Sequence, residues 1–75
     1  NKAYMENYRI QFDEGARAEV LRILRQHNDV VIDNVDAHSV GITIEGDHAE
    51  ELHQRLLEEI DQEVSRYQRQ RDGVA

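Results

Sequence analysis

The sequence predicts an α+β domain of order β-α-β-β-α, a three-stranded sheet covered on one face by two helices, the second of them long. Three observations predict it. "YRIQF" (residues 8–12) alternates polar and apolar side chains strictly. Two β-branched runs, 30–35 and 40–44, flank the polar tetrapeptide Asp36-Ala37-His38-Ser39. Two further windows carry apolar residues at three-and-four spacing, the period of a helix with one buried stripe.

The elements follow in order. Tyr8, Ile10 and Phe12 point one way and Arg9 and Gln11 the other, as in a half-buried strand. Asp13 is placed to cap a helix whose first residue, Glu14, suits the positive end of its dipole. In "EGARAEVLRILRQH" the stripe is Ala16, Val20, Ile23, Leu24 and His27. Asn28 and Asp29 end it. Residues 30–35 form the second strand, with Val30 and Ile32 on one face and Val31 and Val35 on the other; apolar residues on both faces leave its register open. Val40, Ile42 and Ile44 share a face of the third strand. Asp36–Ser39 is a four-residue hairpin loop built on a type I turn. Asp47 and Glu50 form a capping-box-like pair opening a helix over 47–70, with Ala49, Leu52, Leu56 and Ile60 buried and His53 and Leu57 widening the stripe.

This order is that of a split β-α-β unit, a ferredoxin-like architecture lacking its last strand. The right-handed crossover rule is taken to make strands 1 and 3 parallel neighbours, with strand 2 at one edge and strand 1 at the other. The core is expected from Ile10, Val20, Leu24, Ile42, Leu52 and Leu56. Residues 1–5 read as a vector-derived remnant or disordered start, 6–70 as the domain and 71–75 as a frayed end.

Sixteen Asp and Glu against nine Lys and Arg give a net charge of −7 over 75 residues. Such a surface repels phosphate, which argues against direct nucleic-acid binding and against anionic membranes. No apolar run approaches the length of a membrane span. There is no cysteine, so neither disulfides nor thiolate ligands contribute, and a cytoplasmic location is expected.

Candidate sites are weak. Asp33, Asp36 and His38 are close in sequence, but Asp and Ser are standard turn formers and the tetrapeptide reads as a turn. His48 and His53 are five apart, which turns one about 140° from the other on a helix. "HAEELH" therefore misses the four-residue step of a metal-binding pair. The carboxylates lie on a helix exterior rather than in a desolvated cleft, and no glycine-rich phosphate loop or nucleophile elbow is present. No catalytic residue, metal or cofactor is expected, and the chain is read as not an enzyme.

The length of the last helix stands out. Twenty-four residues span about 36 Å and a five-residue strand about 17 Å, so the helix overhangs the sheet. Val64 and Tyr67 continue the line of Ile60 into that overhang. The expected function is a small protein–protein interaction or regulatory domain acting as a homodimer, with Tyr8, Ile10, Val64 and Tyr67 at the interface. The alternative is an acidic nucleic-acid mimic that fills a basic groove, using Glu51, Glu58, Glu59, Asp61 and Glu63.

Overall fold

The computed structural model describes residues 5–72, with side chains through residue 69. β1 is Met5–Gln11, followed by a 3₁₀ turn at Glu14–Ala16 and α1 at Arg17–Arg25. β2 is Val30–Val35, β3 is Ser39–Glu45 and α2 is Ala49–Asp72. The expectations for residues 1–4 and 73–75 lie outside the described residues; Met5 opens β1 and residues 71 and 72 continue α2.

All three strands pair in one sheet of order β1-β3-β2, and both pairings are antiparallel. β1 is thus an edge, as expected, but it does not run parallel to β3. The crossover through α1 makes β1 parallel to β2, and the hairpin then reverses the chain. The strand that returns between them must oppose both.

The helix-facing side of the sheet holds Ile10, Val40, Ile42 and Ile44, all buried. Val20, Ile23 and Leu24 of α1 and Ala49, Leu56 and Ile60 of α2 close over them. The expected core residues Ile10, Val20, Leu24, Ile42 and Leu56 are all in this cluster, but Leu52 is only partly buried against it. Leu57, expected to widen the stripe, is 37% exposed. The contacts of α2 with β1 and α1 set its rotation, and these favour Leu56 and Ile60 over the residues on either flank.

β2 departs from simple alternation. Ile32 opposes Ile42, but Asn34 opposes Gly41, so Asp33 is an extra residue in the ladder. This bulge resets the phase. Val35, expected to share a face with Val31, instead pairs with Val40 and so lies toward the helices. The helix ends also differ from expectation. Asp13 makes no side-chain cap; its carbonyl accepts from the Ala16 N–H at 2.8 Å, and the first turn tightens to 3₁₀. α2 begins at Ala49, two residues after the expected opening, with the His48 carbonyl accepting from the Leu52 N–H at 3.0 Å.

Candidate interaction surface

The hairpin cluster resolves into a turn. The Asp36 N–H donates to the Ser39 carbonyl at 2.8 Å, which closes the loop. The His38 carbonyl accepts from the Phe12 N–H at 2.9 Å, so His38 is tied to β1 through its backbone. The Asp36 carboxylate lies 3.6 Å from the Arg9 guanidinium, and Asp33 accepts from Thr43 at 2.7 Å. The two carboxylates are thus held by different partners. Among the described residues, no group of three or more His, Asp or Glu is placed to hold a metal ion.

The remaining histidines are equally dispersed. His48, just before α2, pairs with Glu51 of its exposed first turn at 3.2 Å. His27 Nε2 lies 3.2 Å from Glu59 Oε1 and ties the end of α1 to α2. His53 stacks on Tyr8, joining α2 to β1.

The open face of the sheet carries polar contacts that the sequence reading did not anticipate. Arg9 donates to Ser39 Oγ at 2.8 Å and to Asn34 Oδ1 at 2.9 Å. Thr43 Oγ1 lies 2.7 Å from Asp33 Oδ2 and 2.8 Å from the Asn7 side-chain amide. A hydroxyl carries one hydrogen. Both contacts are satisfied when Thr43 donates to Asp33 and the Asn7 amide turns to donate to Thr43. Gly41 makes room for this arrangement: a Cβ there would come within 2.9 Å of Asn34 Oδ1 and 3.1 Å of Arg9 Nη2. A glycine inside a β-branched strand was the available signal of a close approach.

An open cleft of about 720 Å³ lies where β1 ends beside α2, walled by Phe12, Leu57, Ile60 and Val64 and rimmed by Asp13, His38 and Asp61. A smaller groove continues from it between Gly15 and Ala16 on one side and Val64 and Tyr67 on the other. No protein-family model, curated protein or solved structure matches this chain. The site is therefore argued from its own residues.

The expected interface residues fall at different depths. Tyr8 is half-buried at the β1 edge, and Ile10 is buried in the core, where its side chain is out of a partner's reach. Val64 is half-buried against the core and lines the cleft. Tyr67 is 44% exposed at the end of the continuing groove.

The expected acidic surface divides. Glu51, Glu58 and Asp61 are exposed on α2. Glu59 and Glu63 are half-buried; Glu59 meets His27, and Glu63 lies 3.6 Å from Arg66. Arg22 of α1 is held further toward its charged form, first by its hydrogen bond to Glu19, then by that residue's charge and by those of Glu63 and Glu59. Glu59 thus serves the joint between the helices, while Glu63 pairs within α2. Among the described residues, no helix is long and apolar enough to cross a membrane.

Proposed function

We propose that the chain is a small, non-enzymatic protein–protein interaction or regulatory domain that acts as a homodimer, on a ferredoxin-like frame lacking its last strand. One observation carries the reading: β1 is an outer strand, unbroken over seven residues, beside an open cleft with apolar walls. An outer strand presents a row of backbone donors and acceptors ready for another strand. In a complete ferredoxin-like sheet a fourth strand would take that place. Two-fold dimers are the commonest way for a chain to fill such a vacancy with itself. A cysteine-free chain suits a reducing compartment, and the reading places it in the cytoplasm, without a membrane or nucleic acid as direct partner.

Sedimentation equilibrium tests this directly. The expected result is a mass that rises toward twice the chain mass with concentration. A strictly monomeric chain at high micromolar concentration would overturn the homodimer.

The exposed row Glu51, Glu58 and Asp61 favours the second reading, an acidic mimic seated in a basic groove. Salt separates the two. Capture of a basic partner weakens as salt rises, whereas association of two chains of charge −7 strengthens.

A further inference from the structure

The two outer strands of the sheet differ. β2 slips against β3 between Ile32 and Asn34, and such a bulge twists an edge and breaks its row of donors and acceptors. β1 pairs with β3 without a slip from Met5 to Gln11. The Phe12–His38 bond carries this ladder one step further and fixes its phase. Alternate residues of an antiparallel ladder bond inward, and those between them turn their N–H and C=O outward. Glu6, Tyr8 and Ile10 share the phase of Phe12 and bond to β3, so Met5, Asn7, Arg9 and Gln11 turn theirs to the open side.

We propose that β1 pairs antiparallel with the β1 of a second copy, centred on Tyr8, so that the two sheets join into one. This rests on the homodimer reading and specifies its contact. Charge and the length of strand engaged together select the register. Directly opposed residues share a sheet face, so a two-fold pairing must centre on a residue rather than between residues. Centring on Glu6 sets Glu6 against its own copy, and centring on Arg9 does the same with two guanidinium groups. Both place like charges opposite one another. Centring on Asn7 engages residues 5–9 of the strand, whereas centring on Tyr8 engages its whole length of seven residues.

The second register sets Met5 against Gln11 and Asn7 against Arg9. At its centre two Tyr8 rings meet at a closely spaced, non-hydrogen-bonded pair. Each ring is already fixed from behind by the His53 stack at 3.9 Å. A prearranged ring loses little rotamer freedom on association, and facing aromatics are a favourable cross-strand pair. A strand pair alone is a small contact beside the roughly 800 Å² per partner of a standard interface. Leu57, exposed on α2 at the cleft beside the end of β1, is placed to extend it.

Sedimentation equilibrium on the chain, Gln11→Pro and Asn7→Pro at low and high salt, with oxidative cross-linking of Tyr8→Cys and Asn7→Cys, tests the proposal. Proline removes an outward donor while leaving the ladder to β3 intact. The parent should dimerise more strongly at high salt, and each proline variant should weaken dimerisation by more than about tenfold. Dichroism confirms that they remain folded. Cysteine at the centre of the register should link to its own copy, since the close pair brings the Cα atoms to about 4.5 Å. In oxidised glutathione, Tyr8→Cys should therefore form covalent dimers in preference to Asn7→Cys. Folded proline variants that dimerise like the parent would overturn the edge pairing and leave the homodimer standing on another surface. A preference for Asn7→Cys would overturn the Tyr8 register. Should proline unfold the chain, absence of a Tyr8→Cys link in a dimeric sample would overturn the pairing. A monomeric parent would overturn the homodimer itself.

Discussion

The imidazole of His53 stacks on the phenol of Tyr8 with ring centroids 3.9 Å apart and planes 16° from parallel. This contact anchors the middle of β1 to the second turn of α2. On the same ring, the Tyr8 hydroxyl donates to Glu6 Oε1 at 2.7 Å.

That bond gives Tyr8 a measurable signature. It pushes the phenol up from 10.0 to about 12, followed by partial burial and by the charges of Glu6 and Glu50. The fold holds this proton more tightly than the unfolded chain does. The associated stability is therefore fully present below pH 10.0 and fades as pH rises through about 12. Tyrosinate absorbance of the chain, with the Tyr8→Phe variant subtracted, should show this late transition. Glu6→Ala should move it down toward 10.0, because the largest cause is removed. An unmoved transition would assign the shift to another group.

Leu56 and Leu52 should part company. Leu56 is fully buried, so Leu56→Ala leaves a cavity and should cost about 2–5 kcal/mol, enough to unfold much of a domain this small. Leu52 lies at the rim of the core and should cost clearly less as alanine. Urea unfolding of both variants is the check, and equal losses would mean that α2 is rotated from the position described.

A side chain at Gly41 should disturb the open face. Gly41→Ala presses on Asn34 and Arg9, and since both can swing outward the expected loss is about 1 kcal/mol, that of one hydrogen bond. Asn34→Ala should cost a similar amount. The double variant should lose less than the sum, because both changes strike the same bond. Strict additivity in thermal melts would place the effect of Gly41→Ala elsewhere.

The hairpin should be indifferent to metals. His38→Asn should leave the melting temperature nearly unchanged, because the His38 tie to β1 is a backbone bond. Zinc or nickel should give no stoichiometric stabilisation of the chain. A one-to-one thermal shift lost in His38→Asn would reveal a ligand role.

Much of this fold was legible because each element carries a local signal. The alternation of Tyr8, Ile10 and Phe12 and the stripe Val20, Ile23 and Leu24 name both the element and its buried side. Three features depended on information that is not local. The bulge at Asp33 appears only when β2 is laid against β3, so Val35 could not be assigned a face from alternation alone. The rotation of α2 follows from its neighbours, which is why Leu52 looked equivalent to Leu56 and Leu57 looked like part of the buried flank. The carboxylates of α2 read as one surface until α1 was in place, with His27 drawing Glu59 aside. The β1–β3 direction was a different kind of miss: hairpin and crossover together dictate it, and it needed only their combination.

The slip at Asp33 also bears on how large an assembly can grow. A sheet with two receptive edges can add strands at both and continue without limit, which is the geometry of a fibril. Here one edge is regular and the other is interrupted, so a strand docked on β1 finds no equivalent site on the far side. One extra residue in β2 thereby favours a finite particle over an open-ended polymer. Deleting Asp33 would restore even spacing along β2 and leave both margins able to recruit, and the consequence would be read in turbidity and dye-binding rather than in the melting curve.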